Sequence, residues 1–295
     1  MHYWTWYINP NRPQKKETPA GQLGNAIHTA ILEPQRFEKE YVSIPEEWQY
    51  PKALVGADDY KKACKELGLK VTGTKPELKA QLQAAAGFTG VFFDDIVRDA
   101  TEGKRTLKID DMQVCRTIAA RVRKHPVLGP HFDSDGKAEH SIFWNDPDTG
   151  VLCRARPDWW VFQHGIHCVT DLKSAISASP TGFQRAIAKY RYHVQAAMYL
   201  DGIKAITGEE PDTWLWSVWE KTQPYANAAY VATPEMIEAG RQEYKKLLVT
   251  YAKCLESDTW PGYSSELSYI SLPEWYNKPE ASPENEQDWL DQMEG

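Results

Sequence analysis

The stretch that most constrains this chain is residues 151–173, where Val-Leu-Cys-Arg-Ala-Arg-Pro-Asp-Trp-Trp is followed by His-Cys-Val-Thr-Asp-Leu-Lys. Read as two strands, it carries Asp158 on the first and Asp171 and Lys173, at i and i+2, on the second. A period of two sends Asp171 and Lys173 to one face, where Asp158 can join them, and turns Leu172 into the core. Two carboxylates beside an ammonium suit a hard divalent cation that activates water against a phosphodiester. The lysine then orients the nucleophile or offsets developing charge. On a plain surface hairpin the same residues would be ordinary solvated charges, so the rest of the chain has to decide.

At 295 residues, with 42% hydrophobic and 25% charged, the chain can bury one sizeable core with appendages or form two small domains. No apolar run approaches a membrane span, and Met-His-Tyr-Trp-Thr-Trp lacks the layout of a signal peptide. A cytoplasmic protein with no membrane association is expected. Cys64, Cys115, Cys153, Cys168 and Cys254 include no C-x-x-C pair, which argues against a zinc ribbon or a disulfide framework. The net charge of −7 looks wrong for a protein that grips nucleic acid, yet its distribution matters more. Residues 279–295 hold six acids and no base, which leaves −7 − (−6) = −1 for residues 1–278. Residues 98–124 hold eight basic residues against four acidic ones, so a basic face is available on a nearly balanced body.

Along the chain, Leu23, Ile27, Ala30 and Ile31 predict a helix from Gly21 that Pro34 ends, with His28 inside it. A histidine there is either structural or, facing carboxylates, a metal ligand. Residues 58–86 turn lysine-rich and predict a helical hairpin whose second helix opens at Thr74-Lys75-Pro76. Two more helices are expected over 89–102 and 110–125, the second capped by Asp110. A strand over 138–146 starts near Glu139, which can join the metal cluster. A turn at Pro147–Gly150 leads from it to the strand bearing Asp158. After Lys173 a loop is expected to residue 182. A long helix broken at Gly202 follows, on which Gln195 and Tyr199 share a face. Strands over TWLWSVWE and NAAYVAT, a helix from Pro234 to about Cys254 and a mobile acidic tail complete the chain.

Two stretches resemble known families. Leu67-Gly68-Leu69, Gly73-Thr74-Lys75, Glu77-Leu78 and Leu82 resemble a SAP motif, which implies DNA phosphate contacts from Gly73, Thr74 and Lys75. Gly24 and His28, Arg156-Pro157-Asp158, Asp171-Leu172-Lys173 and Gln195-x-x-x-Tyr199 occur in the order of RecB-like nucleases of the PD-(D/E)XK superfamily. The match is closest to RecE-type (exonuclease VIII) nuclease domains. It runs through GNAIHTAILEPQRF, CRARPD and YRYHVQAAMY and spans most of residues 20–275.

That resemblance implies an α/β fold with a mixed central sheet flanked by helices. The nuclease core would be split into residues 1–57 and 87–278, with the SAP-like insert at 58–86 and the acidic tail at 279–295. It implies His28, Asp158 and Asp171 as metal ligands, Lys173 as the catalytic lysine, and Gln195 and Tyr199 in support. The implied activity is a Mg²⁺-dependent exonuclease, with Mn²⁺ as a substitute. It would digest linear double-stranded DNA 5′→3′ as a homo-oligomeric ring and hand a 3′ strand to a RecT-type annealing partner. The SAP-like insertion and an Asp at the third carboxylate depart from the pattern. An iron–sulfur member of the superfamily is excluded, because Cys254 is the only cysteine after residue 168. A structure-specific endonuclease and a non-catalytic SAP-containing DNA-binding protein remain the alternatives.

Overall fold

Thr18 starts α1 (Pro19–Leu32): its Oγ1 accepts the Gly21 N–H at 3.1 Å, and Pro19 supplies a preset φ. The computed structural model describes residues 3–12, 16–163, 166–263 and 266–273. Pro34 not only ends α1 but opens α2 (Pro34–Glu40), because a first helical turn has no use for the missing N–H. Next come β1 (Tyr41–Ser43), β2 (Ala53–Leu54), α3 (Ala57–Glu66), α4 (Lys75–Ala84), β3 (Val91–Phe92), α5 (Phe93–Thr101), β4 (Arg105–Leu107), α6 (Ile109–Lys124) and α7 (Leu128–Phe132). The second half holds β5 (Gly136–Ala138), β6 (Ile142–Asn145), β7 (Leu152–Ala155), β8 (Trp159–Gln163), β9 (Ile166–Ala175), α8 (Pro180–Tyr190), α9 (Tyr192–Thr207), β10 (Thr213–Glu220), β11 (Asn227–Val231) and α10 (Pro234–Ser257).

Five strands make a mixed sheet in the order β11-β10-β9-β8-β5, with β9 and β10 parallel and the other neighbours antiparallel. Strand periodicity sorts its residues onto two cores. Trp159, Val161, Leu172 and Leu215 pack with α1 and α6, whereas Trp160, Val169, Trp214 and Val218 pack with α8, α9 and α10. The expected α/β architecture, a mixed sheet flanked by helices, is therefore present. Leu172 enters the α1/α6 core, as its parity predicts.

The helical hairpin α3–α4 has a small core of its own, made by Tyr60, Cys64, Leu78, Leu82 and Phe92. Its chain leaves and returns through parallel pairing of β2 with β3, Leu54 opposite Phe92. Described residues among 3–12 and 257–273 belong to a second compact unit, in which Tyr3 stacks on Tyr7 and on Trp260. The expected acidic tail at 279–295 lies outside the described residues. Among those described, no helix is long and apolar enough to cross a membrane.

Several local expectations are corrected. Asp158 is not on a strand: it sits at a bend between β7 and β8, because Pro157 cannot donate to a ladder. The strand expected over 138–146 is split into β5 and β6 by Glu139, whose φ of 50° is left-handed. Lys108, not Asp110, takes the cap position of α6, and Asp110 lies in the first turn, facing the positive end of the helix dipole. The loop expected to reach residue 182 is short, because β9 runs to Ala175 and α8 begins at Pro180. The helix that follows breaks at Arg191, which adopts φ 57°, ψ 42°, and not at Gly202. Glu243 of α10 holds that arginine at 2.7 Å.

Gly202 instead admits a neighbour. A Cβ there would lie 2.6 Å from the ring of Trp144, so the glycine lets β6 press against α9. Gly202→Ala gains about 1 kcal/mol of helix propensity but should lower unfolding stability on balance, by about 1–2 kcal/mol, because the rigid indole must move. A urea titration would check it, and a stabilised variant would refute the contact argument.

Candidate metal and active centre

Sheet register builds the centre. Ala138 pairs with Trp159 and Trp159 with Thr170, so one further step along both antiparallel pairings sets Glu139 beside Asp158 and Asp158 beside Asp171. The Glu139 N–H donating to the Asp158 carbonyl oxygen at 3.0 Å continues the first pairing. Three carboxylates thus form a row across three adjacent strand positions. α1 brings His28 to this row: its Nδ1 lies 3.7 Å from Asp158 Oδ1 and 3.8 Å from Glu139 Oε1. One ligand atom from each of His28, Glu139 and Asp158 falls within 4.8 Å of the others.

Each carboxylate is anchored differently. Asp158 Oδ2 accepts the Leu172 N–H at 2.7 Å, which leaves Oδ1 toward His28. Glu139 Oε2 meets Arg156 Nε at 2.8 Å, which leaves Oε1 toward His28. Asp171, 2% exposed, accepts from Gln195 Nε2 at 2.9 Å on Oδ1 and meets Lys173 Nζ at 2.5 Å on Oδ2. Lys173 also lies 4.7 Å from the centroid of the Tyr192 ring.

Electrostatics follow from this crowding. Burial and then the neighbouring Asp171 carboxylate push Asp158 up to about 6. Burial opposes protonation of His28, but the facing Glu139, Asp158 and Asp171 outweigh it and raise its pKa. Glu139 is lowered by the His28 imidazole and, less, by Arg156. Burial likewise works against the Lys173 ammonium, and Asp171 more than restores it.

The residues fit a divalent cation. An oxygen-rich set with one imidazole suits Mg²⁺, and Mn²⁺ still better because it accepts nitrogen more readily. The ionisation of Asp158, which burial and then the Asp171 carboxylate oppose, is what a bound cation would favour. His28, Glu139, Asp158, Asp171, Lys173 and Gln195, all expected from the sequence, come together here. Tyr199 does not join them through any described contact: its ring meets Trp214 edge-on at 5.9 Å within the α8/α9/α10 core. Arg156 and Tyr192 were not assigned roles beforehand. Tyr192 had a signal, since it stands three residues before Gln195 and shares its helical face.

In the hairpin, Gly73 takes φ 147°, the Thr74 N–H donates to Glu77 Oε2 at 2.7 Å, and Lys75 pairs with Asp94 of α5 at 2.9 Å. These residues build the start of α4 in the free protein. A cavity of about 220 Å³ opens beside His28 and Glu139, rimmed by Arg36, Arg105 and Arg156. A larger one, about 470 Å³, lies against α10, but its Arg241 is bound to Asp201 and its Lys245 to Asp148, so it offers no open donor set.

A mixed sheet that presents Pro157-Asp158 and Asp171-x-Lys173 at one centre with a histidine defines a PD-(D/E)XK-like domain of the nuclease superfamily. The family described as "PDDEXK-like domain of unknown function (DUF3799)" matches residues 8–273, and the chain belongs to it. Among solved structures, a protein from Eubacterium rectale that carries a provisional exonuclease name is similar at 11% identity and a TM-score of 0.43. That match covers 93% of this chain and 98% of the other. The protein SSO0001 is similar at 12% identity and a TM-score of 0.27, covering 78% and 87%. No curated protein matches. At these identities and scores, the family match is the finding that places the chain.

Titration calorimetry with Mn²⁺ should show one site that His28→Ala weakens strongly. Arg156→Gln, one step out, should weaken it by about tenfold or more. Tyr199→Phe should leave it unchanged. Equal affinity in wild type and His28→Ala would mean that the cluster does not hold the ion.

Proposed function

We propose that this chain is a divalent-metal-dependent exonuclease that degrades linear double-stranded DNA 5′→3′ and leaves a 3′ single strand. The observation that carries the hydrolytic part is the convergence of His28, Glu139 and Asp158 beside the Asp171–Lys173 pair. Direction, product, a ring-shaped homo-oligomer and a RecT-type annealing partner rest on the likeness to RecE-type nucleases in the motifs around His28, Asp158, Asp171 and Gln195.

Held by His28, Glu139 and Asp158 with Asp171 adjacent, Mg²⁺ or Mn²⁺ would polarise a phosphoryl oxygen and lower the pKa of bound water. Lys173 keeps a positive charge where the oxygens of the attacked phosphoryl group gain negative charge. Gln195 fixes Asp171, and Arg156 fixes Glu139, so neither carboxylate has to reorient during reaction. Arg105 at the cavity rim, which forms none of the salt bridges among the described residues, offers a guanidinium group to a flanking phosphate, whereas Arg36 is bound to Glu33 and Glu40. In the net reaction, the water oxygen bonds to phosphorus, the bond from phosphorus to the sugar oxygen breaks, and that oxygen takes a proton.

The hairpin adds affinity and takes no part in chemistry. Its Lys62, Lys65 and Lys70 are exposed and form none of the salt bridges among the described residues. In the basic region 98–124, Arg98, Arg116 and Arg123 are bound to acids, and Lys108, Arg121 and Lys124 remain exposed to line a channel. Deleting residues 58–86 should reduce the slope of log K against log salt by about 3, since each phosphate contact contributes roughly 0.9. Filter binding across a salt series would measure it, and an unchanged slope would leave those lysines a solvated face.

With Mg²⁺, purified protein should shorten end-labelled linear duplex and spare covalently closed circles. Asp171→Ala should reduce cleavage to background while retaining DNA binding. Rapid nicking of closed circles would favour the structure-specific endonuclease, and binding without cleavage of either substrate the non-catalytic reading. Mass photometry should find a closed oligomer, and a monomer that digests long duplex processively would defeat the ring.

A further inference from the structure

Lys173 has two neighbours of different kinds. Asp171 Oδ2 lies 2.5 Å from its Nζ, and the ring of Tyr192 lies 4.7 Å away, centroid to nitrogen. The ammonium is nearly enclosed, its side chain 16% exposed, so a cation–π contact here is weakly screened. Asp171 is a shared carboxylate, because Gln195 also binds it and it stands in the ligand row. Its hold on Lys173 weakens to the extent that it serves a cation. An aromatic ring does not ligate cations of the Mg²⁺ class, so the hold of Tyr192 on the ammonium is independent of that competition.

The placement of Tyr192 is built into the fold. It is the first residue of α9, set by the left-handed Arg191 that ends α8. Arg191 is tied to Glu243 at 2.7 Å, Phe183 lies 6.2 Å from the Tyr192 ring, and Tyr190 stacks on it at 5.6 Å. A continuous helix through residues 180–207 would turn Tyr192 away from this position, since each residue advances the azimuth by a fixed step. The break thus aims the ring, and burial, the first cause of the raised Tyr192 pKa, keeps its hydroxyl neutral.

We infer that Tyr192 is a positioning residue that holds the Lys173 ammonium at the reacting phosphate through its ring face. This rests on the nuclease reading above. The hydroxyl has no part in it, so Phe should replace Tyr and Leu, which fills space without a π face, should not.

Two measurements test it. The first is NMR of the metal-free full-length protein with ¹³C-labelled lysine, the Lys173 ε-methylene signal being assigned by its loss in Lys173→Met. That signal should lie upfield in wild type and Tyr192→Phe, through the ring current, and move downfield in Tyr192→Leu. The second is steady-state cleavage of linear duplex with Mg²⁺. Tyr192→Leu should lower kcat by about tenfold with KM and Mn²⁺ affinity within about twofold, and Tyr192→Phe should restore kcat. No ring-current shift in wild type would overturn the proposal. So would wild-type kcat in Tyr192→Leu, or a loss in Tyr192→Phe as large as in Tyr192→Leu. If the wild type cleaves nothing, the nuclease reading fails, and the NMR comparison still decides whether Tyr192 holds Lys173. Because wild type and Tyr192→Phe carry the decisive shift, misfolding of Tyr192→Leu would not spare the idea.

Discussion

Three carboxylates in a row, Asp171 on β9 and Asp158 and Glu139 one step beyond the ends of β8 and β5, are a repulsion that the fold has to answer. Strands lie about 4.8 Å apart, and two unit charges at about 5 Å in an effective dielectric near 20 repel by about 3 kcal/mol. Each member of the Glu139, Asp158 and Asp171 row is met by a donor or a cation from a different element. Arg156 holds Glu139, the Leu172 N–H holds Asp158, and Gln195 with Lys173 holds Asp171, while His28 faces the first two. Burial, and after it the Asp171 carboxylate, still hold the pKa of Asp158 above the usual carboxylate range. A site that neutralises most of its charge and retains some is poised for a divalent cation.

The rest of the structure serves that arrangement. The sheet is buried on both faces, so its register cannot slip without turning Leu172 and Val169 out of opposite cores. Register is therefore tightly specified where the carboxylates need it. α1 is anchored in one core by Ala26, Ile27, Ala30 and Ile31 and carries His28 to Glu139 and Asp158, and α9 starts afresh at Arg191, which brings Gln195 and Tyr192. Some backbone strain sits at the centre: Glu139, one of four non-glycine residues at positive φ among those described, is held there by its N–H bond to Asp158 and by Arg156.

Most of the centre was legible in the chain. Asp171 and Lys173 two apart on a strand share a face by parity alone, and Leu172 between them turns inward. That is local geometry, and it held. β10, β11 and α10 could be read the same way, from periodicity and turn residues, while the mixed sheet was implied only by the resemblance to RecB-like nucleases. Other features could not. Asp158 looked like a strand residue because its neighbours Trp159 and Trp160 are, but Pro157 interrupts the ladder just before it. Gly202 looked like a helix break because glycine is a poor helix former, whereas its use is to admit the Trp144 ring. Tyr199 looked like a partner of Gln195, and its ring instead packs on Trp214.

What the chain determined by itself was the set of candidate ligand and charged groups and most of the elements that bear them, because residue chemistry and strand or helix period are properties of short segments. Only the tertiary structure decided which groups meet. Glu139 joins the row because β5 pairs with β8 in one register, and Tyr192 faces Lys173 because α8 and α9 break at Arg191, where a residue of α10 holds the turn. Both depend on contacts between residues far apart in sequence. No pattern within a single segment records such contacts, since they exist only once the two cores have closed on the sheet.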